Sequence, residues 1–256
     1  MTRHLLVIGA QRCGTTYLQT LLEAHPQIAT ARPARPEPKV FCSDDLAARG
    51  ADWYRSVYFA HATNEHVLLS EKSTSYLDDP LAPERVRRTI GDVEICVMLR
   101  DPVLRAVSNW RFSTDNRFET RPLERALREN LAAPTPWDPA STSVSPFAYV
   151  ERGRYVECLE PWLAAFPATV HVWFFEELVS DGRAAWAAYA ELGVDAQPIS
   201  GRHGERINAS QVAAAPLHPG LTGDLRAYFS DSDRALSRLL RRALPWHVEK
   251  GTTVDG

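Results

Sequence analysis

Cysteine, methionine and long apolar runs are scarce in this chain. Its 256 residues include four cysteines and two methionines. Cys13, Cys42, Cys96 and Cys158 are widely separated and form no C-x-x-C pair. That spacing argues against a disulfide framework or a zinc site, and it fits reduced thiols in a cytoplasmic protein with no metal. The first apolar stretch, Leu5 to Ile8, is too short for the core of a secretory signal and far too short to span a bilayer. Excess charge of one sign is also missing. A net charge of -3 gives no global reason to expect nucleic acid or an anionic membrane as partner, so any anion site must be local. No internal repeat supports a solenoid, and no linker divides the chain, so residues 1–256 read as one domain.

What is present is an alternation of strand and helix patterns. Leu5-Leu6-Val7-Ile8 ends at Gly9 and fits a strand buried on both faces of a parallel sheet. Thr16 to Ala24 carries Leu18, Leu21 and Leu22 at helical spacing and stops before Pro26. Val67 to Ser70 and Val93 to Leu99 are further buried-strand patterns, with a surface helix expected over Pro80 to Thr89 between them. Pro102 suits a helix's first turn, and Val103 to Phe112 continues it. Residues 131–145, with three prolines, read as an extended loop. A long helix is expected from Pro146 to Phe166, a strand from Val170 to Phe175, and helices over Gly182 to Leu192 and Thr222 to Leu240. The pattern implies an α/β fold, a P-loop-like parallel sheet flanked by helices.

Two segments carry the chemistry. Gly9-Ala10-Gln11-Arg12-Cys13-Gly14-Thr15-Thr16 joins the first strand to the first helix. Its glycines permit a tight turn that leaves backbone N–H groups around an anion at the helix N-terminus. The spacing is similar to G-x-x-x-x-G-K-[ST], but Thr15 stands where the phosphate-binding lysine would be, and the cation is Arg12 inside the loop. The second segment is Arg100-Asp101-Pro102-Val103-Leu104-Arg105-Ala106-Val107-Ser108, again at a strand end that opens a helix. Arg100 offers a bidentate fork and Ser108 a neutral donor for a phosphate. Asp101 reads as a helix cap and Arg105 as a surface charge.

Taken together, these motifs resemble sulfotransferases that use 3′-phosphoadenosine 5′-phosphosulfate (PAPS). Further matches are similar to the branch containing heparan sulfate sulfotransferases and their bacterial relatives: Glu37-Pro38-Lys39-Val40-Phe41, Glu71-Lys72-Ser73-Thr74-Ser75-Tyr76, Arg152-Gly153-Arg154-Tyr155, Leu225 to Phe229 and Leu244-Pro245-Trp246. The resemblance implies that Gln11, Arg12, Cys13, Gly14, Thr15 and Thr16 hold the 5′-phosphosulfate and that Arg100 and Ser108 hold the 3′-phosphate. It implies Glu37 as general base, Lys72 as stabilising charge on the transferring group or orienting the acceptor, and Arg12 as electrostatic support. Arg206, in the Gly201–Asn208 stretch, would belong to a loop over the nucleotide. PAPS would leave as adenosine 3′,5′-bisphosphate, and no metal would be needed. Lys39 stands where several relatives carry histidine, so its role is left open.

The aromatic residues Trp110, Trp173 and Phe174 read as core, and His25 as a helix terminator. Two rival readings are a magnesium-dependent P-loop kinase, which would want a lysine after Gly14, and a non-catalytic nucleotide-binding module. The acceptor, a small molecule or a glycan, is not encoded in any motif. Nor is the oligomeric state.

Overall fold

A computed structural model describes residues 2–138, 142, 144–180, 182–195 and 216–247. Five parallel strands form one sheet in the order β2-β3-β1-β4-β5: β1 (Arg3–Gly9), β2 (Ile28–Thr30), β3 (Leu68–Lys72), β4 (Glu94–Leu99) and β5 (Val170–Phe174). Leu5 to Ile8 and Ile95 to Leu99 are fully buried, as apolar runs in a doubly covered sheet should be. Trp110, Trp173 and Phe174 are buried as well.

Ten α-helices accompany the strands among the described residues: α1 (Thr15–Glu23), α2 (Asp44–Ala47), α3 (Gly50–Tyr58), α4 (Ala82–Ile90), α5 (Pro102–Asp115), α6 (Leu123–Ala132), α7 (Tyr155–Ala165), α8 (Phe175–Ser180), α9 (Gly182–Glu191) and α10 (Pro219–Leu240). The expected α/β fold is therefore present. β2, α2, α3, α6 and α8 were not expected from the residue patterns. α5, α6 and α10 enclose a second apolar cluster beside the sheet, built on Val103, Trp110, Leu127, Leu225 and Phe229.

The helix expected from Pro146 begins only at Tyr155. The backbone before it is held by side chains of α5 instead. Asn109 Nδ2 and Ser113 Oγ donate to the Pro146 carbonyl, and Arg105 donates to the carbonyls of Ala148 and Tyr149. Those carbonyls are thereby spent outside a helical ladder. Of the loop expected over 131–145, residues 131 and 132 belong to α6, while 139–141 and 143 lie outside the described residues.

Among the described residues, no helix is long and apolar enough to cross a membrane.

Candidate active site

Parallel register brings three strand ends to one edge. Val7 of β1 pairs with Lys72 of β3, and Gly9 pairs with Val97 of β4. The loop after β1, the segment after β3 and Arg100 after β4 therefore lie at one edge of the sheet. With β3 on one side of β1 and β4 on the other, this is the point where strand order reverses, the usual ligand position in an open α/β sheet.

Gly14 caps α1 in the left-handed region (φ 86°) and, as a glycine, makes no side-chain cap bond. A Cβ at this position would lie 2.2 Å from the Phe175 ring, so both backbone angle and space require glycine. The positive end of the α1 dipole thus faces this edge. Arg12 Nε donates to Ser108 Oγ at 3.3 Å, joining two motifs 96 residues apart. The Arg12 guanidinium also lies over the Phe112 ring at 4.8 Å. The Arg100 guanidinium lies over Phe175 at 5.0 Å, and its buried Nε has no partner among the described residues. Burial, then the charges of Arg100 and Arg105, push the Arg12 pKa below the usual arginine value. Guanidinium groups crowded in this way are suited to a polyanion, which relieves their mutual repulsion.

Arg105 is not the surface charge expected from its place on α5. It is fully buried and donates to the Gln11 carbonyl (3.4 Å) as well as to the two carbonyls before α7. Arg152 performs a related task that the sequence did not disclose. It pairs with Asp78 (3.2 Å) and donates to Gln11 Oε1 (2.7 Å), orienting the Gln11 side chain. Cys13 faces inward: its Sγ lies 3.4 Å from the Tyr155 hydroxyl, its amide donates to Ala10, and burial pushes its thiol up to about 11. Its side chain therefore anchors the loop away from the cleft. Asp101 does cap α5, accepting from Val103 N (2.9 Å), and Arg226 of α10 grips its two oxygens at 2.8 and 2.6 Å.

The same edge holds Glu37. One of its carboxylate oxygens accepts from Lys72 Nζ, and the other accepts from Thr74 N (3.0 Å) and Thr74 Oγ1 (3.1 Å). Glu37 and Lys72 side chains are 19% and 14% exposed, enough to meet a substrate without being freely solvated. A cavity of about 590 Å³ is lined by Gln11, Arg12, Thr15, Thr16, Glu37 and Lys72, and by Phe112 and Phe118. The lining does not include Arg100 or Ser108; Ser108 is linked to it through Arg12. Thr74 is the residue whose contact with Glu37 went unassigned, although its motif was legible. Arg206 lies outside the described residues. No cluster of three or more metal-ligating side chains occurs among the described residues.

A parallel sheet with a glycine-containing βα loop and a carboxylate–lysine pair in one cleft is an arrangement suited to transfer of an anionic group. Comparison with known families narrows this: the sulfotransferase domain matches residues 2–191, and the chain belongs to that family. Among curated relatives, heparan sulfate glucosamine 3-O-sulfotransferase 3A1 of Mus musculus is 31% identical over 180 residues, 69% of this chain and 42% of the relative. Heparan sulfate glucosamine 3-O-sulfotransferase 6 of Homo sapiens is 33% identical over 180 residues, covering 69% and 47%. The match thus spans less than half of these relatives' length. The crystal structure of a sulfotransferase from Alicyclobacillus acidocaldarius superposes with a TM-score of 0.73 at 23% identity, covering 95% of this chain and 98% of that one, a likeness of fold.

Proposed function

We propose that this sulfotransferase moves a sulfuryl group from PAPS to a hydroxyl or amine of an acceptor bound in the 590 Å³ cleft, with Glu37 as general base. The observation that carries the reading is the placement of the Glu37–Lys72 pair in the same cavity as Arg12, whose Nε is tied to Ser108 of the second phosphate motif. The buried Arg100 Nε, without a partner among the described residues, and the glycine-capped start of α1 fit the two anionic ends of such a donor. Gln11, Thr15 and Thr16 line the cavity at that helix start.

In the transfer, the acceptor oxygen or nitrogen bonds to sulfur as the sulfur–oxygen bond to the bisphosphate breaks. The acceptor's proton passes to Glu37, and adenosine 3′,5′-bisphosphate leaves with the electron pair. Thr74 fixes the Glu37 carboxylate, so the base is oriented before the acceptor arrives. Lys72 and Arg12 place positive charge beside the group in transit. Arginine does not give up its proton, so Arg12 acts only electrostatically. With these cations at the site, the chemistry does not call for a divalent metal.

For the acceptor, the relatives' names point to glucosamine of heparan sulfate. The cleft itself presents two exposed phenylalanines, Phe112 and Phe118, together with Arg35 and Lys39. An acceptor with a flat or apolar face fits this lining, and a small molecule suits it as well as a sugar. The four cysteines are free, and we infer a reducing, cytoplasmic setting from them.

The test is transfer of labelled sulfate from PAPS to a panel of a glucosamine oligosaccharide, a phenol and an alkyl alcohol, with excess chelator present. Transfer to at least one of them, undiminished by the chelator, is expected. Loss of transfer on chelation with recovery on adding magnesium would overturn the metal-free reading.

A further inference from the structure

Glu71 lies one residue before Lys72, is fully buried and does not line the cleft. One of its carboxylate oxygens accepts from Ser73 Oγ, and the other from the hydroxyls of Tyr54 and Tyr76, each at 3.0 Å. Two of these hydroxyls are acceptors in turn. Lys39 N donates to Ser73 Oγ at 2.9 Å, and Phe41 N donates to Tyr76 Oη at 3.3 Å. A backbone N–H can only donate, and each hydroxyl has one proton. The polarity of the whole set follows: backbone amide to hydroxyl, hydroxyl to carboxylate.

Lys39 and Phe41 stand two and four residues beyond Glu37, on the loop that presents it. Lys39 has a left-handed φ of 50°, a conformation disfavoured for a residue with a side chain and held here by its surroundings. Residues 71 to 74, where β3 gives way to a turn, thus divide their work. Lys72 and Thr74 bind the Glu37 carboxylate, while Glu71 and Ser73 hold the backbone that follows it. Packing alone does not account for a buried carboxylate at this place, since its desolvation is costly and an apolar side chain would fill the space. A polar cluster of this kind fixes one loop position among several.

We propose that Glu71 is a positioning residue for sulfuryl transfer, acting through Ser73 and Tyr76 to fix the loop that carries Glu37. The inference rests on the reading of Glu37 as base. Tyr76→Phe and Ser73→Ala each delete one hydroxyl from the relay with little change in shape, and Glu71→Gln sets an amide against the hydroxyl protons. With the best acceptor of the panel above, each substitution is expected to lower kcat roughly 10- to 100-fold, the range a misplaced catalytic group costs. Calorimetric affinity for adenosine 3′,5′-bisphosphate stays within about twofold of wild type, because the donor loop is not part of the relay. In a Glu37→Gln background the same substitutions have no further effect, because no base remains to be positioned.

Unchanged kcat in Tyr76→Phe and Ser73→Ala would overturn the proposal. So would equal losses in both backgrounds, or bisphosphate affinity falling in step with kcat. Should Glu71→Gln fail to fold, the two hydroxyl variants decide alone. Near-wild-type turnover of Glu37→Gln by itself would instead remove Glu37 as base, a result visible before any relay variant is made.

Discussion

In the proposed reading, the wall assigned to the donor is made of element ends, whereas the wall assigned to the base is made of side chains that hold a loop in place. On the donor wall, the α1 N-terminus, the β4 end and the start of α5 meet because the sheet is parallel. Their positions follow from strand register and from the buried guanidinium of Arg105, which ties the loop before α7 to Gln11. On the base wall, Glu37 sits on a segment with no helix or strand of its own, between Pro36 and Pro38. Its place depends on residues 71 to 76 and on Tyr54 of α3. A substitution on the donor wall should therefore change binding of the nucleotide, and one on the base wall should change turnover.

Glu37→Gln is the sharpest way to break that comparison. If Glu37 takes the acceptor's proton, the amide should lose about 100-fold or more in turnover on an alcohol while bisphosphate affinity is kept. A phenolic acceptor ionises more readily and should show a smaller loss. Near-wild-type turnover of the variant on an alcohol would mean that the base lies elsewhere.

Arg100→Ala tests the opposite wall. The side chain's buried Nε and its stacking on Phe175 suit a charge-assisted contact with a phosphate. Its loss should weaken adenosine 3′,5′-bisphosphate by about 1.5–3 kcal/mol in calorimetric titration. Ser108→Ala removes a neutral hydroxyl that already accepts from Arg12 and should cost less. Unchanged affinity in both variants would dissociate the second motif from the nucleotide.

The two walls also differ in how far the sequence disclosed them. β1 and β4 were legible because strands buried on both faces leave uninterrupted apolar runs, and the donor loops followed from glycine and arginine placement at their ends. Glu37, Lys72 and Thr74 stood in recognisable motifs, yet their contact was not visible, since 35 residues separate Glu37 from Lys72. β2, at three residues, is too short to leave a pattern. Arg105 and the false helix start at Pro146 are one error seen twice. Nothing local in Arg-Ala-Val-Ser shows that a loop 43 residues away will lay its carbonyls over that arginine. The relay around Glu71 was hidden for the same reason, with its partners scattered over α3, the Glu37 loop and the β3 exit.

The smallest effect expected concerns the pH dependence of stability, and it isolates Glu71 from the rest of the base wall. Burial pushes the Glu71 pKa up to about 7, outweighing the hydroxyls of Ser73, Tyr76 and Tyr54, which favour the ionised form; the nearby Glu37 adds to the rise. An acid whose folded pKa exceeds its unfolded value binds more protons in the folded state between the two. Its contribution to stability is therefore present in full at low pH and is lost as pH rises from the ordinary carboxylate range through about 7. His4 works in the other direction. Burial and Arg55 lower its pKa to about 4, so its term favours the folded state more as pH climbs from there to its ordinary value of 6.5. The two terms oppose each other over much of this range, and the wild-type melting curve alone would not separate them. Comparison with Glu71→Gln does, because the variant keeps the His4 term and cannot ionise at position 71. The melting temperature of the variant relative to wild type should rise between pH 5 and about 7.5 and level off above it. For a chain of this size each kcal/mol corresponds to about 2–4 °C, so a widening of a few degrees is expected by calorimetry. A difference that stays constant across this range would mean that Glu71 ionises in the folded protein as it does in the unfolded chain. The three hydroxyls would then offset burial and Glu37, and the base wall would be held by a carboxylate charged across this pH range.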